Sequence, residues 1–193
     1  MVTRTRRQHN KEDPAKYLYK HSPLKNGLKV KDEYKPLEHY SKILPKIYLG
    51  NYKAAKDKDF FKKKNIKAVL NCTHDIPHHF RNSGDIEYMR IPVEDSLKEY
   101  DIKRLYSFAP VIVAFIDKHV NLHKNNIFIH CQVGRERSAT AVVLYLMEKH
   151  KLTPTQACKL VMDKRKEAFF YGTSLNFEDT IMKYYKKLQK EKC

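Results

Sequence analysis

Cys131 lies where an apolar run passes into a glycine-bearing loop, and Arg137 follows it with five residues between the two. A thiol attacks only as the thiolate, so a reactive cysteine needs electropositive surroundings. A loop that closes onto the first turn of a helix provides them, because its N–H groups converge and the helix dipole favours negative charge there. A nearby guanidinium can also bind two phosphate oxygens at once. The pattern therefore predicts a phosphate site with a cysteine nucleophile.

The residues around this pair are expected to shape the loop. Gly134 lets the backbone turn and approach an anion without a Cβ in the way. We expect His130 to orient the loop through hydrogen bonds. A Glu136 carboxylate directed at the phosphate would repel it and raise the pKa of the thiol, so we expect Glu136 to point away and pair with a base such as Arg135. The expected phosphate-binding residues are Gln132, Val133, Gly134, Arg135, Glu136 and Arg137.

The set formed by His130, Cys131, Gly134, Arg137 and Ser138 resembles the phosphate-binding loop of the cysteine-dependent protein tyrosine phosphatase superfamily. The length of the chain favours the compact branch of that superfamily, the dual-specificity phosphatases, and the resemblance extends over roughly residues 41–190. It implies a phosphatase that hydrolyses phosphotyrosine and phosphoserine or phosphothreonine in proteins through a phosphocysteine intermediate. It also implies that Ser138 helps the phosphoenzyme to break down and that neither a metal nor a cofactor is needed.

A phosphoester needs a proton on its leaving oxygen, and the segment around Asp95 resembles the acid loop of the family. It follows a strand-like run at residues 86–91. We therefore expect Asp95 to be the general acid, and then the general base for water. Glu94 and Asp101 are the competitors. Glu94 would face the opposite way if the strand continued, and Asp101 is placed to be a helix N-cap.

Four other functions use comparable residues. The same loop could act on a phospholipid or on an RNA 5′-phosphate, and residues 134–140 resemble most closely the loop of a mitochondrial-type phosphatidylglycerophosphate phosphatase. Lipid phosphatases of the superfamily tend to carry extra lysines in this loop, whereas Gln132 is neutral and Glu136 is acidic, which weakens the lipid interpretation. Glu136 also favours a catalytically weak phosphate-binding module. The intact Cys131, Arg137 and Asp95 argue against that interpretation. The loop residues disfavour a sulfurtransferase.

The chain of 193 residues carries 39 Lys and Arg against 22 Asp and Glu, a formal net charge of +17. Such a charge would attract polyanions such as acidic phosphoproteins, RNA or anionic lipid, or it would serve solubility alone. No aromatic-rich RNA-binding signature accompanies the basic residues. We expect a basic, partly flexible N-terminal extension over residues 1–40 and one catalytic domain over residues 41–193.

The four cysteines show neither a disulfide framework nor a metal-ligand spacing, and no apolar run suits a membrane span or a signal peptide. An intracellular protein, cytoplasmic or nuclear, is expected. Cys72 ends a buried strand and is a candidate redox partner for Cys131, although a small strand-end residue is the commoner role. The histidines at positions 74, 78 and 79 favour a surface loop over a zinc site, which would need a further ligand.

Strand and helix patterns alternate along the chain. Residues 46–49, 66–71 and 126–129 are predicted strands, and residues 54–63, 102–120 and 138–147 are predicted helices. Thr153, Pro154 and Gln156 form a helix start, and Asn176 with Asp179 opens the last predicted helix. This order predicts an α/β fold, with a central, mostly parallel sheet flanked by helices and the catalytic loop at the carboxyl edge of the strands.

Overall fold

The computed structural model describes residues 38–96, 98–169, 174 and 177–191. Nearly all of the predicted N-terminal extension, as well as Asn176 and Cys193, lies outside these residues. In the part of the chain that is described, no helix is both long enough and apolar enough to cross a bilayer.

A sheet of five strands forms the centre of the described structure, in the order β1-β2-β5-β3-β4. Three neighbouring pairs run parallel, and only β1 runs antiparallel to β2. The strands are β1 (Tyr40–Leu44), β2 (Ile47–Gly50), β3 (Ile66–Asn71), β4 (Glu87–Arg90) and β5 (Asn126–His130). The predicted α/β fold with a mostly parallel sheet is confirmed.

The register of the central strands brings three loops to one edge of the sheet. His130, the last residue of β5, is aligned with Gly50 of β2 on one side and with Asn71 of β3 on the other. The segments that begin at Asn51, Cys72 and Cys131 therefore leave the sheet side by side. This carboxyl edge is where parallel sheets bind ligands.

Helices cover both faces of the sheet. One face packs Phe60, Phe61 and their helical neighbours against Tyr48, Val69 and Phe128, and the other face carries the larger core. The helices are α1 (Tyr52–Ala55), α2 (Lys58–Lys63), α3 (Glu99–Asp117), α4 (Arg137–Lys149), α5 (Pro154–Lys164) and α6 (Glu178–Lys190). A π-helical turn, Lys118–Leu122, extends α3.

Local hydrogen bonds explain where the predicted elements were right and where they were wrong. The predicted helix over residues 54–63 is in fact two helices, because the Asp57 carboxylate accepts from Phe60 N at 3.0 Å and starts α2 anew. Helix α3 begins earlier than predicted and continues through Pro110. The predicted start at Thr153 is confirmed by its capping box. The strand β1 was not predicted.

Asp101 is not the N-cap of α3, contrary to our expectation. Lys98 occupies that position, and Asp101 lies in the first turn of the helix with its side chain buried. Its carboxylate accepts from the backbone N–H of Glu94 and from the hydroxyl of Ser96. These donors lie outside the helix, so Asp101 joins α3 to the segment that precedes it.

Candidate active site

Cys131 directly follows β5 and is 1% exposed. Its Sγ accepts hydrogen bonds from Gly134 N at 3.2 Å and from Ser138 Oγ at 3.3 Å. Both donors can stay in place when the sulfur carries a negative charge, and bonds to charged acceptors are the stronger ones. The thiol therefore lies at the border of the core, with two polar donors directed at its sulfur.

The carbonyl oxygens of residues 131–136 all accept hydrogen bonds from donors behind the loop. Cys131 O accepts from His130 Nδ1, Gln132 O from Tyr52 N and Val133 O from Arg165 Nη2. Gly134 O accepts from Arg165 Nε, Arg135 O from Phe169 N and Glu136 O from Thr140 N. In a trans peptide the C=O and the following N–H point in opposite directions. Because these carbonyls are held by their donors, the N–H groups of residues 132–137 point to the opposite side of the loop, where an anion could be bound.

Gly134 is required in this loop for two reasons. Its φ is +76°, a conformation that side-chain-bearing residues rarely adopt. A Cβ at this position would also lie 2.4 Å from the carbonyl oxygen of Gly50 and 2.9 Å from Arg165 Nη2. The end of β2 therefore packs directly against the loop, which explains the tight turn beside Cys131.

Arg165, at the end of α5, holds the loop from behind and has a fully buried side chain. Its guanidinium donates to Gly134 O at 2.8 Å and to Val133 O at 3.1 Å, and it also reaches Glu38 O at 3.1 Å. Glu167 Oε2 lies 3.8 Å from the same guanidinium. Arg165 was not among the predicted site residues. In a chain with 39 basic residues, nothing in the sequence distinguishes this one.

Arg137 begins α4 and is almost fully buried beside the acid loop. Its Nη1 donates to Val93 O at 3.1 Å, and its Nε lies 3.7 Å from Asp95 Oδ2. Asp95 keeps 31% of its side chain exposed. Burial raises the pKa of Asp95 above its ordinary value. The positive charge of Arg137 opposes this rise, and the negative charge of Asp101 adds to it.

Glu94, the first competitor for the role of acid, points elsewhere. Its carboxylate is 58% exposed and lies 3.9 Å from His74 Nε2. Asp101, the second competitor, has both oxygens occupied by hydrogen bonds from Glu94 N and Ser96 Oγ. Of the three carboxylates, Asp95 is the one whose ion pair with Arg137 is found in the structure.

His130 is buried below the loop, with its ring stacked on Phe128. Burial lowers its pKa to about 3, so the imidazole is neutral near neutral pH. Its Nδ1 lies 3.4 Å from Cys131 O, which suits an orienting role. Cys72 is also buried, and Cys72 N donates to His130 O at 2.8 Å, so the two cysteines follow paired ends of neighbouring strands. Burial strongly raises the pKa of Cys72, and the neighbouring Cys131 adds to this rise.

Glu136 is buried, and its Oε2 accepts from Ser174 Oγ at 2.8 Å. Ser174 Oγ in turn accepts from Phe177 N, just before α6. The Glu136 side chain therefore ties the loop to the segment that leads into α6. The remaining loop residues, Gln132, Val133 and Arg135, are exposed or half-buried.

The loop with three histidines follows β3. His78 stacks on Tyr88 with ring centroids 4.5 Å apart, and burial lowers its pKa to about 4. No group of three or more His, Cys, Asp or Glu side chains within the described ranges could hold a metal ion. The buried Asn71 and the half-buried Arg90 fix the loop by donating to the carbonyl of Ile76.

The structure thus brings Cys131, Arg137, Ser138 and Asp95 together at one edge of the sheet, with His130 below them. Sequence reasoning missed Arg165 and the contacts of Asp101. Arg165 binds backbone carbonyls distant in the chain, so no local pattern marks it. Asp101 binds Glu94 N and the Ser96 hydroxyl, both in the segment before its helix, and its position at a helix start favoured the N-cap instead.

Comparison with known proteins gives one consistent result. The family model described as "Dual specificity phosphatase, catalytic domain" matches residues 47–187. Human "Dual specificity protein phosphatase 7" is 34% identical over 143 residues, which make up 72% of this chain and 33% of that protein. The chain spans about a third of the length of the curated relatives that it matches.

Solved structures share the fold. The crystal structure of human DUSP28 has a TM-score of 0.66 and 21% identity, and the match covers 81% of this chain and 99% of that one. The crystal structure of PTPMT1 in complex with PI(5)P has a TM-score of 0.67 and 17% identity, over 81% of this chain and 100% of that one. At these identities the likeness concerns the fold alone.

Proposed function

The chain belongs to the dual-specificity phosphatase family, and we propose that it hydrolyses phosphotyrosine, phosphoserine and phosphothreonine in proteins through a phosphocysteine intermediate. The proposal rests mainly on one structural observation. The Cys131 sulfur lies in a loop whose carbonyls all accept from behind, with Arg137 and Asp95 beside it. A nucleophile, converging amides, a guanidinium and a carboxylic acid are the parts that phosphoryl transfer through a covalent intermediate needs.

In the first step, the phosphate binds the amides of residues 132–137 and the guanidinium of Arg137. The Cys131 thiolate attacks phosphorus, and the S–P bond forms as the P–O bond to the leaving group breaks. Asp95 gives its proton to the leaving oxygen. Since burial raises the pKa of Asp95, the protonated form needed here is favoured. The amides and Arg137 stabilise charge on the equatorial oxygens.

In the second step, water hydrolyses the phosphocysteine. Asp95, now a carboxylate, accepts a proton from the attacking water, and the S–P bond breaks to leave inorganic phosphate. The Ser138 hydroxyl, 3.3 Å from Cys131 Sγ, can donate to the departing sulfur and stabilise it as the thiolate. The enzyme then returns to its starting state.

Hydrolysis of an aryl phosphate by wild type, Cys131→Ser and Asp95→Asn tests this mechanism. Vanadate-sensitive, chelator-resistant turnover is expected from wild type, and none from Cys131→Ser. Cys158→Ser is the matched control, because Cys158 is buried in α5 and no part of the mechanism uses it. Glu94→Gln is the control for Asp95→Asn. Absence of wild-type turnover would instead support the catalytically weak phosphate-binding module.

Substrate class is tested by comparing kcat/KM across four probes: a phosphotyrosine peptide, a phosphothreonine peptide, a phosphoinositide and a 5′-triphosphorylated RNA. The proposal expects the two peptides to be preferred. A phosphoinositide preference would favour the lipid alternative, to which the fold shared with PTPMT1 in complex with PI(5)P gives support. The neutral Gln132 and the Glu136 carboxylate, buried beside the loop, argue against a lipid headgroup with several phosphates.

We further propose that a basic surface on α6 attracts an anionic partner, foremost the acidic segment of a phosphoprotein substrate. A groove of about 420 Å³ lies between α3 and α6 and is rich in lysine side chains. It is lined by Tyr106, Lys183, Lys186, Lys187, Lys190 and Glu191. RNA and anionic lipid remain alternatives for the same charge.

Cys72 is proposed as a redox partner of Cys131. Peroxide would oxidise the Cys131 thiolate to a sulfenic acid, and the Cys72 thiol would then displace water to form a disulfide. Reversal of peroxide inactivation by a dithiol in wild type, but not in Cys72→Ser, would support this role. Full recovery in Cys72→Ser would contradict it. The free thiol needed at Cys131 suits a reducing compartment, which favours a cytoplasmic or nuclear location.

A further inference from the structure

Asp101 holds the segment that carries the proposed general acid. Its carboxylate is 5% exposed and accepts from Glu94 N at 3.1 Å and from the hydroxyl of Ser96. Ser96 Oγ also accepts from Lys98 N at 3.2 Å. Asp95 lies between the two residues that Asp101 binds. One carboxylate of a buried residue therefore binds the residue on each side of the acid, through the backbone of Glu94 and the side chain of Ser96.

The acid segment has a second attachment on the side of the thiol. Val93 O accepts from Arg137 Nη1 at 3.1 Å. The segment is thus held between Arg137, which begins α4, and Asp101, which lies in the first turn of α3. Of these two attachments, the one through Asp101 contacts the residues adjacent to Asp95.

Burial raises the pKa of Asp95 most, and two charged side chains also act on it: Arg137 from α4 and Asp101 from α3. Arg137 lowers the pKa of Asp95, and Asp101 raises it. Glu94 is turned towards His74 and solvent. Among the described residues, no basic side chain forms an ion pair with Asp101, so none of them offsets the charge by which this carboxylate raises the pKa of Asp95.

We infer that Asp101 is a positioning residue for the general acid: it holds the segment that carries Asp95 by accepting from Glu94 N and from the Ser96 hydroxyl. This inference rests on the proposed function, because it matters only if Asp95 gives a proton to a leaving group. It predicts two separable effects, one of geometry and one of charge. Two substitutions separate them.

Asp101→Asn removes the charge and keeps the hydrogen bonds, because the amide oxygen can accept from Glu94 N and the amide NH₂ can donate to Ser96 Oγ. Asp101→Ala removes both. Glu99→Gln is the matched control: Glu99 is an exposed carboxylate in the same first turn, paired with Lys103, and it makes no contact with the acid segment.

Each variant is assayed with two aryl phosphates, one with a strongly acidic phenol as leaving group and one with a weakly acidic phenol. Only the second needs a proton from the enzyme, so kcat/KM for it reports the general acid. Asp101→Ala is expected to lose roughly 10- to 100-fold of kcat/KM on the weakly acidic phenol and less than about threefold on the other. Glu99→Gln is expected to match wild type on both.

The pH profile isolates the charge effect. For Asp101→Asn we expect near-wild-type kcat/KM on the weakly acidic phenol at low pH. The basic limb of its profile is expected to move to lower pH, because Asp95 then loses its proton more easily. Glu99→Gln is expected to leave that limb in place.

Equal losses on both substrates in Asp101→Ala would show a merely structural role and would overturn the inference. So would a basic limb that does not move in Asp101→Asn. Failure of the proposed function would look different, because wild type would then hydrolyse neither aryl phosphate. Urea unfolding of each variant shows whether a loss of activity reflects a loss of folded protein.

Discussion

The guanidinium of Arg165 binds no substrate in our mechanism, yet it donates to two of the six carbonyls that must point away from the phosphate. Replacing it by Met should leave those buried carbonyls without their donor and remove the positive charge beside the buried Glu167. We expect the free energy of unfolding to fall by about 3 kcal/mol. We also expect vanadate to bind at least tenfold more weakly, because the amides lose their common direction.

The control for Arg165 is the neighbouring Lys164, which is exposed at the end of α5. Lys164→Met makes a comparable substitution without touching the loop, and it should leave both stability and vanadate inhibition near wild type. Vanadate inhibition by Arg165→Met equal to that of wild type would show that the loop keeps its shape unaided.

His130 should make the protein sensitive to acid. In the folded state burial lowers its pKa to about 3, whereas an unfolded histidine titrates near 6.5. As the pH falls from 6.5 towards 3, the unfolded state binds a proton that the folded state does not. The free energy of unfolding therefore decreases, by up to about 1.4 kcal/mol per pH unit from this group.

Urea unfolding as a function of pH measures this effect. In His130→Asn the slope of stability against pH should be smaller than in wild type by up to one proton, while His150→Asn, at an exposed position, should keep the wild-type slope. His78 contributes in the same direction, because burial lowers its pKa to about 4. An unchanged slope in His130→Asn would contradict the described burial.

Single residues were predictable where the chemistry requires a particular residue type at a particular spacing in the sequence. The positions of Cys131, Arg137 and Ser138 follow from one short loop, and Asp95 from a short segment after a strand. The partner of Glu136 was not predictable, because Ser174 lies 38 residues further along the chain. Contacts of this kind depend on how helices pack, and no local pattern encodes them.

At the scale of elements, the approach of β2 to the loop that carries Cys131 gives a clear prediction for Gly134→Ala. The new Cβ would meet both a positive φ and the carbonyl oxygen of Gly50 at 2.4 Å, so the loop or the end of β2 must move. We expect loss of most of the activity and weaker binding of inorganic phosphate, measured by calorimetry.

Gly84→Ala separates the two causes. Gly84 has a similar φ of +71°, but no atom lies within 4 Å of an added Cβ. It should lose about 1 kcal/mol of stability from backbone strain alone and keep full activity. If Gly134→Ala behaved like Gly84→Ala, the close packing of β2 on the loop would be wrong.

The strands and helices were predictable where apolar residues recur along the chain at a regular spacing without interruption. Continuous apolar runs in the sequence predicted β3 and β5, and the capping residues predicted the start of α5. The edge strand β1 was missed because its sequence, YSKIL, mixes polar and apolar residues at an exposed edge. The division between α1 and α2 depends on one side-chain cap, Asp57. It was not predicted because the apolar residues on both sides of Asp57 continue at one helical spacing.

At the scale of the whole molecule, the positive charge should steer anionic substrates. Replacing Lys183, Lys186 and Lys190 by Gln should lower kcat/KM for an acidic phosphopeptide several-fold at low ionic strength and weaken its dependence on salt. A small aryl phosphate should be little affected. Substitution of Lys58, Lys62 and Lys63, exposed on α2 at the other face of the sheet, removes the same charge and is the control. Equal effects of the two triple variants would show that net charge alone matters.

The overall architecture was predictable because alternating strands and helices leave few ways to cover a parallel sheet. That sheet places its carboxyl ends together, and the position of the site follows from this. The order of the strands was not predictable from the sequence, since it depends on pairing between segments far apart in the chain.

The phosphocysteine itself is the most direct test of the mechanism. Asp95→Asn should still be phosphorylated by an aryl phosphate with a strongly acidic phenol, but it should hydrolyse the intermediate slowly for lack of a base. Mass spectrometry of the acid-quenched protein is expected to find one phosphoryl group on the peptide that contains Cys131, and none in Asp95→Asn combined with Cys131→Ser. A phosphoryl group on another residue, or turnover by wild type while no covalent species can be trapped, would contradict the account.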